Sequence, residues 1–352
     1  MNEMSHDASI EPSASPPLQT LDLAGEIANA DLILVATVIS FRAVSRPVSL
    51  VSLDASPDED RLYQAELNII RILAGEPISH SLRVFCLQGK LPSRPWMTLT
   101  PGQTVLLFLR ATADGDYVPV VPTGTAIQTL PHLAPLPGEA SRTQAVAHEL
   151  EQIILAADPI AQTDLIIQAT TARTSIGSPI NLELLATSIL QNPIRRAAWI
   201  AIALAQEEVE VLPEVLPLLA QSVPPAMDVF EHLIAQQIRA LRHRAARPYL
   251  ATLLRSSSLE FVQAAIVALR QLHDPATLSD LMLALNHQNQ EVRYQAVMGL
   301  AELEPTVQAG PAFQTYCANE PAYLDCWQRW WRNRNLPQRI TEEKNRRHLT
   351  EN

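Results

Sequence analysis

Apolar and polar positions change rhythm once along this chain. Up to about residue 130 the apolar residues come in short bursts or alternate with polar ones. "DLILVATVISFRAV" (31–44) is an apolar, β-branched run that suits a long buried strand. "LYQAELNIIRILAGEP" (62–77) alternates Tyr63, Ala65, Leu67 and Ile69 against polar neighbours and stops at Gly75. "HSLRVFCLQG" (80–89) reads as a further strand, followed by the Pro-rich "KLPSRPW". "LTPGQTVLLFLRATADGDYVPVVP" (99–122) reads as turn, strand, Asp-Gly hairpin turn and strand, and "TAIQTL" (125–130) adds a last short strand. A short helix is expected in "LDLAGEIANA" (21–30). Several strands with no helical period between them predict a small antiparallel barrel or sandwich.

The Pro-rich "PHLAPLPGEASR" (131–142) reads as a linker. Beyond it the period is helical: in "TQAVAHELEQIILAA" (143–157), Val146, Leu150, Ile153 and Ile154 fall on one face. From about 181 to 304 the chain then repeats. Four segments close on a similar phrase: "AIAL" (201–204), "IRAL" (238–241), "IVAL" (266–269) and "VMGL" (297–300). Their leucines, Leu204, Leu241, Leu269 and Leu300, lie 37, 28 and 31 residues apart. Before each phrase comes another helical segment: "LELLATSILQ", "PEVLPLLAQS", "RPYLATLLRS" and "LSDLMLALNH". Two helices per unit predict a solenoid, because one helix pair cannot cover its own apolar face. Ala203, Ala240, Ala268 and Gly299 are the small residues expected where neighbouring second helices approach. Pro213 and Pro217 are expected to bend or restart one first helix.

The phrase "NQEVRYQAVMGLAELEP" (289–305) resembles the HEAT-repeat family, especially its short bacterial form named for the phycobilisome-lyase subunits. That resemblance implies a solenoid, and for the lyase-type members it implies handling of bilin chromophores on antenna proteins. In the first half, "ADLILVATVISF" (30–41), "AELNIIRILAGEP" (65–77) and "LTPGQTVLLFL" (99–109) resemble the netrin-like barrel of the tissue inhibitors of metalloproteinases, an oligonucleotide-binding type of fold. The N-terminal cysteine those inhibitors use to reach a metal is absent, so metalloproteinase inhibition is not expected. The expected fold class is therefore a small antiparallel OB-like β-barrel followed by an α-α superhelix, a HEAT-like solenoid. The expected division is a disordered 1–20, a barrel at 21–130, a linker at 131–142 and helical repeats at 143–312. An aromatic capping helix at 313–336 and a charged tail at 337–352 complete it.

Composition narrows the function. The chain has 352 residues, a net charge of −11, and only 10 glycines against 27 prolines. A global acidic charge argues against nucleic acid or anionic lipid as partner. Residues 313–352 alone are slightly basic, with seven basic against five acidic groups. Cys86, Cys317 and Cys326 are widely spaced and read as free thiols of a reducing compartment, with a Cys317–Cys326 disulfide as the alternative. No apolar stretch is long enough to span a membrane, and the N-terminus does not read as a signal peptide. A cytoplasmic location is the default expectation; a start codon lying upstream would change it.

Catalytic patterns are missing. No phosphate-cradling glycine loop or nucleophile elbow is present, and the nine histidines are scattered. Only His148–Glu149 has the order that a HEAT-type di-iron site repeats. "ASPDED" (55–60) reads as a solvated loop. No metal, cofactor or catalytic residue is expected. Arg293 is expected to bridge to a carboxylate or carbonyl of the adjacent repeat. Arg239, Arg242, Arg270 and Glu302 fall on or near the repeated phrase and point away from the core, a modest strip for an acidic partner. Arg242 and Arg270 take the same position there, directly after the leucine. In the tail, Tyr323, Trp327, Trp330 and Trp331 fall at i, i+4, i+7 and i+8, one face of a helix. That face is expected to cap the solenoid, with its arginines in solvent. Together these readings predict a non-catalytic scaffold or adaptor that docks a protein along the solenoid's concave face. The alternatives are a lyase-like bilin or phycobiliprotein factor, and a nucleic-acid binder using the barrel and the Trp/Arg tail.

Overall fold

The computed structural model describes residues 22–44, 60–77, 81–89, 99–121, 125–133, 140–178, 192–206 and 228–350. A short helix, α1 (Leu23–Asn29), is capped by Asp22, whose Oδ1 accepts from the Gly25 N–H at 2.9 Å. Six strands follow: β1 (Leu32–Ala43), β2 (Asp60–Ala74), β3 (Ser81–Gly89), β4 (Thr104–Ala111), β5 (Tyr117–Pro119) and β6 (Ala126–Gln128). β1 pairs β2 and β4, β2 pairs β3, and β5 joins β3 to β4, so five strands close into a barrel in the order β1–β2–β3–β5–β4. Every pairing is antiparallel except β3 with β5, through Val84 and Tyr117. β6 lies against the first half of β4. The expected Asp-Gly turn joins β4 to β5, with Gly115 at φ +79°.

The barrel is filled by alternate side chains. Leu32, Leu34, Ala36 and Val38 of β1 and Val105, Leu107 and Leu109 of β4 point inwards. Their neighbours Ile33, Val35, Leu106 and Phe108 are also buried, but in a second cluster shared with the helices. Burial on both faces explains why these two strands are continuous apolar runs while β2 alternates.

Among the described residues, five helices lead on from the barrel: α2 (Arg142–Ala156), α3 (Thr163–Thr174), α4 (Pro193–Ala205), α5 (Asp228–Ala240) and α6 (Arg247–Leu253). Then come α7 (Leu259–Gln271), α8 (Leu278–Ala284), α9 (Gln290–Leu303) and α10 (Phe313–Thr350). α3, α4, α5, α7 and α9 pack side by side in that order, with α6 against α7 and α8 against α9. α2 opens with a full capping box, Ser141 with Gln144. Its apolar residues join the outer-face residues of β1 and β4 in one cluster, so the barrel and the helices share one core.

Polar bonds stitch the same junction. Arg71 of β2 donates to Glu149 of α2 at 2.5 Å and to the Pro131 carbonyl at 2.9 Å. Thr129 adds a 2.8 Å bond to the same Glu149 oxygen, and Arg142 donates to the Ala30 carbonyl at 2.6 Å. Two residues along α2, Glu151 is held at 2.9 Å by the fully buried Arg173 of α3, which also donates to the Ser178 carbonyl at 3.0 Å. Burial raises the Glu151 carboxyl, and the Arg173 charge opposes that rise.

The last repeats keep a fixed register. α5, α7 and α9 start at Asp228, Leu259 and Gln290, and α6 and α8 at Arg247 and Leu278, each 31 residues on from its equivalent. The caps keep step: Ser258 and Asn289 open α7 and α9, while His243 and Asp274 cap the short 3-10 turns before α6 and α8. This register corrects the phrase alignment. Ile238, not Leu241, is the counterpart of Leu269 and Leu300, and Leu241 matches Leu272. Ala240 is therefore an exposed end residue rather than a helix contact. Gly299 does sit against a neighbouring second helix: a Cβ there would lie 3.4 Å from the Arg270 side chain of α7, and 3.0 Å from Leu281 of α8.

The expected helices "LELLATSILQ" and "PEVLPLLAQS", with Pro213 and Pro217, lie outside the described residues, as do residues 1–20, most of "ASPDED" and the middle of the 131–142 stretch. α10 breaks at Asn319 (φ −132°, ψ 23°), two residues before Pro321, which lacks an N–H and crowds the carbonyl four residues back. Its backbone continues helically through the charged tail to Thr350.

Candidate functional site

The outward rows of α5, α7 and α9 form one surface. Residues three, four, seven or eight apart on each helix share it: His232, Gln236 and Arg239 on α5, Glu260, Gln263 and Arg270 on α7, Glu291, Tyr294 and Glu302 on α9. Bonds between adjacent helices tile it at the repeat spacing. His232 meets Glu260 at 2.8 Å, and the pair equivalent to it 31 residues on, Gln263 and Glu291, also meets at 2.8 Å. Arg270 grips Glu302 with both Nε and a terminal nitrogen, at 2.8 and 2.5 Å, and reaches Gln295 at 2.8 Å. The exposed apolar residues of these helices, Val229 and Leu259, stand at their N-terminal ends, 53% and 45% exposed.

The four residues proposed for partner binding fare differently. Arg270 and Glu302 neutralise each other. Arg242 folds back on the end of α5, donating to the carbonyls of Arg239 at 2.8 Å and Leu241 at 3.0 Å. In the 31-residue register Arg239, not Arg242, is the equivalent of Arg270, which corrects the reading that Arg242 and Arg270 share a position. The residue equivalent to Glu302 on the next helix from Arg239 is Gln271, so Arg239 keeps its charge without a carboxylate partner among the described residues.

Beyond α9, an aromatic chain runs along α10. Phe313 meets Tyr294 edge-on at 5.0 Å, Tyr294 meets Tyr316 at 5.3 Å, and Tyr316 meets Tyr323 at 5.9 Å. Trp327 is fully buried and meets Trp330 edge-on at 5.5 Å; Trp330 and Trp331 are half-buried against the same core. Arg329 and Arg332 are exposed, as expected. Arg334 instead lies over the Trp330 ring at 5.0 Å and pairs with Glu304. Arg293 bridges as expected: it donates to Glu320 at 2.7 Å and to the carbonyls of His287 and Gln288. Glu320 also accepts from Tyr316 at 2.6 Å and Gln290 at 2.9 Å. These donors, Arg293 above all, hold its carboxyl down at about 2. Burial and the Glu320 bond raise the Tyr316 hydroxyl.

Among the described residues no three His, Cys, Asp or Glu side chains come together as a metal site, and no helix is long and apolar enough to cross a membrane. Glu149, half of the one His–Glu pair in the expected order, is taken up by Arg71 and Thr129. Cys86, Cys317 and Cys326 are free thiols, and burial pushes Cys86 up to about 12. Sequence reasoning missed Val229, Leu259, Glu260, Glu291, Tyr316 and Glu320. Counting from helix caps rather than from closing leucines exposes the first four.

Residues 212–301 match the family model for HEAT repeats. From residue 228 on, the match falls on the helices that stack in register, and it supports reading the helical C-terminal half as HEAT repeats. No curated protein and no solved structure matches the chain.

Proposed function

We propose that the chain is a non-catalytic protein-binding scaffold whose docking surface is the solvent face of α5, α7 and α9, the second helices expected to line the solenoid's concave side. The observation that carries this reading is the regular helix-pair stack across the HEAT-repeat match. HEAT repeats generally mediate protein–protein interaction, and stacked repeats offer an extended surface that needs no reactive groups. Val229 and Leu259 supply exposed apolar area on that face, and Arg239 supplies an uncompensated charge. The aromatic chain of α10 acts as the solenoid's cap: Trp327 is spent on the core, leaving Trp330 and Trp331 at its edge.

Affinity capture from an extract of the source cells, with the intact chain and with a Val229→Glu/Leu259→Glu variant, tests the proposal. A partner held by the wild type and lost by the variant, at unchanged thermal stability, is the expected result. A partner held equally by both places docking elsewhere, and the absence of any specific partner removes the scaffold reading.

One observation favours a second reading. The five strands close into a small barrel, which is compatible with the expected OB-like fold, and some barrels of that type bind oligonucleotides. Against it, residues of the outer face of β1 and β4 are buried in a core shared with the helices, and Arg83 of β3 is paired with Asp116 at 2.9 Å. A mobility-shift assay with single-stranded oligonucleotides across salt decides: no shift even at low salt ends that reading.

A further inference from the structure

The turns joining the helices of successive repeats leave a hollow of about 220 Å³ between them. Leu254, Leu283 and Val292 form its apolar lining, and Arg255, Asn286 and His287 supply its polar groups. Val292 is fully buried and Leu254 nearly so, whereas Leu283 is 48% exposed. The hollow is thus closed below and open along one apolar wall. It is smaller than the roughly 300–1,000 Å³ of a drug-sized ligand site, and its size suits one large side chain.

The same turn is built twice. In the first copy the Ser258 N–H donates to Ser256 Oγ at 3.2 Å; 31 residues later the Asn289 N–H donates to His287 Nδ1 at 3.1 Å. Because Nδ1 accepts there, the neutral imidazole of His287 carries its proton on Nε2 and offers a donor. Arg255 is exposed and has no carboxylate partner among the described residues. The edge of the hollow therefore offers donors beside an apolar floor. Of the arginines between His232 and Leu259, Arg242 is bonded to the end of α5 and Arg247 to Asp280, so the positive charge at the hollow itself is that of Arg255.

We propose that this hollow is the anchor pocket of the docking surface, taking one leucine- or phenylalanine-sized side chain from an acidic segment of a protein partner. The proposal rests on the scaffold reading above and names the partner's chemistry. An apolar anchor supplies most of the affinity, and flanking carboxylates meet Arg255 and His287 and set the orientation. A nucleic acid satisfies the charge but offers no side chain for the apolar floor.

The test is a titration of the intact, methyl-labelled protein with three synthetic peptides, followed by NMR. One carries Leu-Phe flanked by Asp and Glu, one carries Ala-Ala in the same acidic frame, and one carries Leu-Phe flanked by lysines. The acidic Leu-Phe peptide is expected to shift the methyls of Leu254, Leu283 and Val292 with a Kd of about 1 mM or below. Leu283→Asp is expected to abolish those shifts, and Arg255→Glu to weaken binding about tenfold, as the loss of one charge contact implies. Both positions are exposed, so the melting temperature is expected to stay at the wild-type value. Absence of methyl shifts at millimolar acidic peptide overturns the proposal. So does equal binding of the alanine or the lysine peptide. If the peptides fail while partner capture still depends on Val229 and Leu259, the pocket assignment falls and the scaffold reading stands.

Discussion

Phe108 tests whether the barrel and the solenoid fold as one body. It is 1% exposed on the outer face of β4, in the cluster that also holds Val146 and Leu150 of α2 and Trp199 of α4. Phe108→Ala removes a whole ring from that shared core. Truncations of this kind cost about 3–5 kcal/mol, the transfer term plus the cavity left behind. For a urea slope of roughly 3–4 kcal/mol/M in a chain of this size, the midpoint should fall by about 1 M. The probe is well placed: four of the five tryptophans, Trp199, Trp327, Trp330 and Trp331, belong to the helical half, and Trp199 and Trp327 are fully buried. Unfolding followed by tryptophan fluorescence and by circular dichroism should give coincident curves, both displaced by the substitution. A fluorescence transition that keeps its wild-type midpoint would refute the shared core.

Further substitutions probe single devices. Gly75 has φ +83°, and a Cβ there would lie 2.1 Å from the Asp31 carbonyl oxygen, so Gly75→Ala should lower stability by more than about 2 kcal/mol in denaturant titration. Arg173→Met leaves Glu151 buried without its partner and should cost about 3–5 kcal/mol near neutral pH, the loss shrinking in Glu151→Gln/Arg173→Met. Glu320→Gln weakens the bonds from Arg293, Tyr316 and Gln290 and should cost roughly 1–3 kcal/mol by thermal melting at pH 7. Because the Glu320 carboxyl is held at about 2, below its ordinary 4.5, its stabilisation is complete above pH 4.5 and is lost as pH falls towards 2. The variant should therefore show a flatter stability profile across that window; an unchanged acid limb would exclude this role for Glu320.

Much of the architecture could be read from the chain. The apolar runs of β1 and β4, the alternation of β2 and the Asp-Gly turn gave the strands. The i, i+4, i+7, i+8 spacing gave the Trp327 stripe before its burial was known. The repeat was legible as two helices per unit, but its register was not. "IRAL" matched "IVAL" by its leucine, although the counterpart of Leu269 is Ile238. Apolar residues are interchangeable inside a core, so a phrase of them can slip by most of a turn. Caps cannot, because each must place an acceptor at a helix start, and Ser258, Asn289, His243 and Asp274 mark the period directly. What no local pattern reveals is pairing across repeats. Arg270 looked free in sequence because Glu302, its partner, lies 32 residues away along the chain and one helix away in space.

Site-specific photo-crosslinking tests the docking face most directly. A benzophenone side chain is placed at Val229, at Leu259, or at Ile72, which is 47% exposed on β2 of the barrel. Irradiation in source-cell extract should give the same partner adduct from Val229 and Leu259 and none from Ile72. Adducts from Ile72 alone, or none from either helix position while a partner still co-purifies, would contradict docking along α5, α7 and α9.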